Sequence, residues 1–253
     1  MDQSPSTLPL AGRIAIVTGS SGGIGREVAL HLSSLGAKLV LADIHPAERT
    51  HPLLSVPSQA TAIKTDITKP HDVKAMFDHA ERTFGRPVHI LVHCAGVASS
   101  TYPSLADTSV VEWEKLFEVN AKGTFLCCRE AAGRLVRGGG GRIIAFSSST
   151  AATARPGYGA YASTKAAVET MVRVLAKEMK GTRITANCVA PGPVATEMFF
   201  AGKSEEVVKQ NAEENPLSRL GEPIDVAAVV GFLAGDSGEW INGQVIRVNG
   251  GLV

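Results

Sequence analysis

Basic runs, long apolar runs and metal-type cysteine spacings are all missing from this chain. Its 25 lysines and arginines are set against 24 acids, a net charge of +1 at neutral pH. So small a charge leaves no electrostatic footprint for nucleic acid or an anionic membrane, and neither is expected as a partner. No apolar stretch reaches the roughly 18 residues needed to cross a bilayer. The four cysteines, Cys94, Cys127, Cys128 and Cys188, lie in apolar or small-residue surroundings, and two of them are adjacent. They read as buried thiols in a reducing compartment, not as a disulfide framework or a metal site. The opening MDQSPSTLPLAGR is short and polar ahead of the first strand signal. It leaves no room for a signal or transit peptide, so a cytoplasmic location is expected.

What the chain does have is glycine and an alternating pattern. Its 253 residues are 44% hydrophobic and include 26 glycines, enough for one large core. Short Val- and Ile-rich runs at 13–18, 38–43, 60–65, 88–93, 142–147, 183–190 and 244–249 read as strands. Between most of them lie helix-like stretches at 24–36, 70–85, 110–136, 161–181 and 223–235. Pro70 and Pro223 stand where first-turn prolines belong, and Gly36, Gly85, Gly181 and Gly235 where helices stop. Continuous apolar strands alternating with helices predict a Rossmann-like doubly wound parallel sheet of about seven strands, with helices on both faces, as a single domain over 1–253. Two segments break the rhythm. Residues 45–59 carry three prolines where a crossover helix is expected, so that connection is short or irregular. A long segment before the last helix, about 193–216, reads as a substrate loop.

The first strand runs into TGSSGGIG (18–25) and then a helix. Gly19, Ser21, Gly23, Ile24 and Gly25 therefore form a turn at a helix N-terminus, where bare backbone and free N–H groups suit a pyrophosphate. Asp43 ends the second strand, 18 residues past Gly25. A carboxylate there accepts from an adenosine 2′-hydroxyl and repels a 2′-phosphate, and Gly22 leaves the turn without a basic side chain. NAD is thereby favoured over NADP. Further on, GYGAYASTK (157–165) places Lys165 four residues after Tyr161. On a helix the two share a face, and an ammonium beside a phenol lowers its pKa toward the range of an acid–base catalyst. Tyr158, between two glycines, reads as loop.

With these pieces in order, the sequence resembles the short-chain dehydrogenase/reductase family, in its branch of about 250 residues, over nearly its whole length. The resemblance rests on TGSSGGIG, Asp43, TDIT (65–68), HCAG (93–96), Asn120 in FEVNAKGTF, Ser148 in FSSS, Tyr161 with Lys165, NCVAPGPVAT (187–196) and NGQVIRVNGG (242–251). It is nearest to aldehyde-reductase-like members found in plants. The family implies an NAD(P)-dependent oxidoreductase acting on a secondary alcohol, ketone or aldehyde. Tyr161 would be the general acid or base, Ser148 would hold the substrate oxygen, and Lys165 would contact the nicotinamide ribose. Asn120 would hold a water linking Lys165 to solvent. Asp66 and Ile67 would flank the adenine, Ala95 and Gly96 the adenosine ribose, and Pro191, Gly192, Val194 and Thr196 the nicotinamide and phosphates. Tyr158, Met198 and Phe199 would line the substrate site, which reads as mainly apolar and suits a small, uncharged, moderately hydrophobic substrate. No metal is implied. A homo-oligomer, tetramer or dimer, is expected through the helices near 109–136 and 160–180. His93 and Cys94 depart from the family's usual Asn-Asn-Ala-Gly. An alternative within the same fold is a non-redox isomerase or cyclase that keeps the cofactor as a scaffold.

Overall fold

The computed structural model describes residues 8–45, 50–99 and 101–253. Its strands are β1 (Ile14–Thr18), β2 (Lys38–Asp43), β3 (Ala60–Lys64), β4 (Ile90–His93), β5 (Arg142–Phe146), β6 (Thr185–Pro191) and β7 (Val245–Val248). The helices are α1 (Gly23–Ser34), α2 (Pro70–Phe84), α3 (Val110–Leu116), α4 (Gly123–Arg134), α5 (Thr150–Thr153), α6 (Gly159–Glu178), α7 (Glu197–Phe200), α8 (Glu205–Glu213) and α9 (Pro223–Ala234). All pairings are parallel, in the order β3-β2-β1-β4-β5-β6-β7.

The central strands are continuous apolar runs because both of their faces are covered. Every residue of β1, β4, β5 and β6 is buried. Successive side chains alternate between two cores, as the period of a strand requires. Ile14 and Ile16 join Phe77 of α2, Leu126 of α4 and Val172 of α6 on one face. Ala15 and Val17 join Leu32 of α1 and Val230 of α9 on the other. The strand order turns back on itself between β1 and β4, which leaves a crevice beyond the C-terminal ends of the strands. Register brings those ends level: Thr18 pairs with Ala42 and His93, and His93 pairs with Ala145.

Three segments depart from the sequence expectation. The helix expected over 110–136 is continuous, but a π-helical turn at Phe117–Lys122 joins α3 to α4 and contains the buried Asn120. A single π turn inside an α-helix is a recurrent mark of functional positions. The proline-rich 45–59 stretch holds two short 3₁₀ turns, His51–Leu53 and Pro57–Gln59, in place of a crossover helix, while 46–49 lie outside the described residues. The segment near 193–216 is not open loop. It forms α7 and α8, each capped by a hydroxyl, Thr196 accepting from Phe199 N–H and Ser204 from Val207 N–H.

Candidate active site

At the C-terminal ends of β1, β2, β4, β5 and β6 lies a cleft of about 390 Å³. One end is the turn between β1 and α1. Here the glycines are required by contact: a Cβ on Gly19, at φ +69°, would stand 2.8 Å from Ala95 N, and one on Gly25 would stand 2.1 Å from the Gly19 carbonyl. The first turn of α1 has neither a capping side chain nor an acid, so its N–H groups stay available to an anion.

Asp43 reaches this turn from β2. Its Oδ2 accepts from Ser21 N–H at 3.0 Å and its Oδ1 from His45 N–H at 2.9 Å. The side chain expected to read a ribose is therefore also a brace for the turn.

The other end carries the expected reacting groups. The Ser148 hydroxyl hydrogen-bonds the Tyr161 phenol, which burial pushes up to about 12. Lys165 is buried, and burial pushes its ammonium down to about 8. Its Nζ donates to the Phe146 carbonyl at 3.0 Å and lies 5.6 Å from the Tyr161 ring centroid. The spacing on α6 does bring Tyr161 and Lys165 to one face. The depressed phenol expected from the pair is not what this geometry gives, because the ammonium sits against the ring and burial dominates.

Asn120 holds the floor of this end. Its Nδ2 donates to the Val97 carbonyl at 2.9 Å and to Thr164 Oγ1 at 3.2 Å, and its Oδ1 accepts from Val97 N–H at 2.9 Å. Its carbonyl accepts from Thr124 Oγ1 at 2.6 Å. Both N–H groups of the side-chain amide are taken, while its Oδ1 keeps one lone pair beside the bond from Val97 N–H. What the amide does is fix the β4–α3 loop against α6. Gly96 belongs to the same arrangement, since a Cβ there would lie 3.1 Å from Asn120 Oδ1 and 3.5 Å from Lys165 Nζ.

Of the other expected residues, Gly23, Ile24, Ala95, Tyr158, Pro191, Gly192, Val194, Thr196, Met198 and Phe199 also line the cleft. Ser21, Asp66, Ile67 and Asn120 do not. Asp66 turns into its own loop, accepting from Thr68 N–H at 2.9 Å and Thr68 Oγ1 at 2.7 Å. Ile67 is buried against α4, its side chain filling the space beside Gly123. His93 is buried with Nδ1 2.8 Å from Thr18 Oγ1, while its Nε2 finds no hydrogen-bond partner among the described residues. The Thr18 hydroxyl also accepts from Ala95 N–H at 3.3 Å. Sequence reading missed Lys203 and Asn211, which reach the cleft from the α7–α8 segment, and with them the polar character of that wall. Nothing in their local sequence signals it.

Among the described residues, no helix is long and apolar enough to cross a membrane. A family model described as enoyl-(acyl carrier protein) reductase matches residues 19–253. The chain is 56% identical to a short-chain type dehydrogenase/reductase of Picea abies, over 96% of this chain and 93% of the relative. It is 54% identical, over 99% and 97%, to an NADPH-dependent aldehyde reductase-like protein, chloroplastic, of Arabidopsis thaliana. A dehydrogenase/reductase from Sinorhizobium meliloti 1021 superposes with a TM-score of 0.88 at 31% identity, covering 97% of each chain. The chain belongs to the short-chain dehydrogenase/reductase family.

Two expectations are corrected by these relatives. A cytoplasmic location is overturned, because the relatives at 54% and at 50% identity both carry a chloroplast designation. Free thiols and a charge-balanced surface suit a plastid interior as well as a cytosol, so composition could not tell the two apart. The preference for NAD is also opposed, since the same two relatives are named NADPH-dependent. The physical reason lies at Asp43, whose two backbone hydrogen bonds give it a use that needs no ribose.

Proposed function

We propose that this chain reduces the carbonyl group of a small aldehyde or ketone at the expense of a nicotinamide cofactor, and oxidises the alcohol in the reverse direction. The observation that carries this reading is the meeting of Ser148, Tyr161 and Lys165 at one end of a cleft whose other end is a bare-backbone turn on an uncapped helix. The residues fit a dinucleotide: the uncapped α1 N-terminus and the glycines around Gly22 suit its pyrophosphate, and Pro191, Gly192 and Thr196 lie along the path to Tyr161. When bound, the nicotinamide would supply or accept the hydride.

The protein's own part is proton control and positioning. A phenol held near 12 is neutral at working pH and is a donor to the much more basic alkoxide that forms on carbonyl reduction. Ser148 shares a hydrogen bond with that phenol and orients the substrate oxygen on it. Lys165, cationic below about 8, lies 5.6 Å from the centroid of the ring that is left with the negative charge. The α7–α8 segment is the substrate lid. Full-length similarity to relatives named NADPH-dependent aldehyde reductases supports an aldehyde substrate, NADPH and a plastid setting. It gives the non-redox alternative no support.

A homo-oligomer is part of the same reading. Val110, Val111 and Phe125 are exposed on the α3–α4 helix, an apolar face that a second copy would cover.

The test is a carbonyl panel with NADPH and NADH followed at the nicotinamide absorbance. Oxidation of the cofactor in step with loss of carbonyl supports the reading. Substrate consumed at constant absorbance would replace it with the isomerase or cyclase.

A further inference from the structure

The wall of the cleft opposite the nucleotide turn holds a cation with no counter-ion. Lys203, between α7 and α8, is half-buried and takes part in no ion pair among the described residues. Its Nζ lies 4.4 Å from the Tyr102 ring centroid and 4.8 Å from that of Phe199. It donates to the Tyr102 hydroxyl and, at 2.8 Å, to the Phe199 carbonyl. The other lining cation of the lid side, Arg155, is already matched by Glu214. Burial lowers the Lys203 pKa, as expected for an ammonium short of compensation. Holding a cation in a partly dry pocket without an acid is unfavourable unless something else supplies the charge.

The hydrogens of this cluster decide what that is. A lysine can only donate, so the Tyr102 oxygen accepts from Lys203. The rings of Tyr102 and Tyr158 pack at 4.8 Å and their hydroxyls are hydrogen-bonded. With Tyr158 as the donor of that bond, Tyr102 accepts twice and its own O–H is left over. One N–H of Lys203 is left over too. Two free donors, one of them charged, stand beside each other on the lining of the cleft that also holds Tyr161.

We propose that Lys203 and Tyr102 form a receptor for a carboxylate at the far end of the substrate, so that the preferred substrate is an aldehyde or ketone carrying an acid group remote from its carbonyl. Two donors match the two oxygens of a carboxylate, and a single ammonium matches its single charge. A phosphate dianion would call for more donors than this wall has. The inference rests on the carbonyl-reductase reading above. It replaces the uncharged substrate expected from the sequence, an expectation formed without Lys203.

The experiment compares para-carboxybenzaldehyde with its neutral isostere, para-carbamoylbenzaldehyde, on the wild type, Lys203→Met and Lys203→Arg. The wild type is expected to favour the acid at least about tenfold in kcat/KM, chiefly through KM. Lys203→Met should erase that preference while leaving the amide within about twofold, and Lys203→Arg should keep much of it. A cofactor-independent check is binding of benzoate against benzamide, with benzoate weakened in Lys203→Met alone. No preference in the wild type, or an equal loss on both aldehydes in Lys203→Met, overturns the proposal and makes Lys203 a latch of the lid. Turnover of neither aldehyde, with benzoate still bound through Lys203, sinks the reductase reading and leaves the receptor standing.

Discussion

The two walls of the cleft are made of different material. From the glycine turn to Lys165 the wall is strand ends and the two long helices, and its polar groups are tied to backbone: Asp43 to Ser21 and His45, Asn120 to Val97, Lys165 to Phe146. Around Tyr102, Tyr158 and Lys203 the wall is side chains on loops and the short α7–α8 segment, tied mostly to one another. The first wall cannot change without disturbing the sheet. The second can be rebuilt residue by residue, which is how one fold serves many substrates.

The sharpest way to test that division is to remove one atom from the rigid wall. Tyr161→Phe deletes the phenol that Ser148 engages and little else. We expect kcat to fall by about 10²–10⁴ while the cofactor Kd moves less than about twofold. A parallel loss of cofactor affinity would mean that the phenol shapes the nucleotide end as well, and the two-wall description would fail.

Stability should divide in the same way. Asn120→Ala leaves the Val97 N–H and carbonyl without the side chain that pairs them, while the Thr164 hydroxyl keeps the Tyr161 carbonyl, which should cost about 2–4 kcal/mol in denaturant unfolding. Lys203→Ala, on the lid side, should cost less than about 0.5 kcal/mol. Equal costs would show that the lid is as deeply built in as the floor.

How much of each wall could be read from the chain follows from the same contrast. The sheet, the glycine turn and the Tyr161–Lys165 pair are local: a strand of period two, a turn of glycines, two residues one helical turn apart. Each leaves its own mark in the sequence. Asn120 was visible as a polar residue in a helix, but its partners are Val97 and Thr164, 23 and 44 residues away, so its bracing of the β4–α3 loop left no mark in the sequence. Asp66 and Ile67 were placed beside an adenine by their motif, yet the loop turns one onto Thr68 and the other into the core. Lys203 meets Tyr102 across 101 positions, a contact no pattern of spacing can announce.

His93 offers a test that isolates one group of the rigid wall. Burial pushes it down to about 3 from an unfolded value near 6.5, with Lys165 adding to the effect. Between those values the unfolded chain binds a proton that the native protein refuses. The stability this group provides is therefore complete above about pH 6.5 and is lost as pH falls toward about 3. His93→Asn removes that dependence, so the wild type should lose about 2 kcal/mol more than the variant between pH 7 and about pH 4.5. Parallel unfolding curves at both pH values would mean that the imidazole is solvated and does not belong to the dry interior.

The smallest expected effect is at Asp43, where the rigid wall meets the choice between the two nicotinamide cofactors. Its carboxylate serves two tasks: it braces the turn through Ser21 and His45, and it presents negative charge to the adenosine end. Asp43→Asn keeps an acceptor for the brace but takes away the charge. If the charge reads the ribose, NADPH should bind about tenfold tighter in the variant, roughly 1.4 kcal/mol, with NADH changed little. Asp43→Ala takes away both, and should weaken NADH as well while the turn loosens. Should neither variant shift the NADPH-to-NADH ratio, Asp43 is a brace alone. The NADPH use named for the relatives then meets no opposition from this residue, and the walls differ in the way described: the rigid one holds the cofactor by its backbone, and the choice between substrates is left to the other.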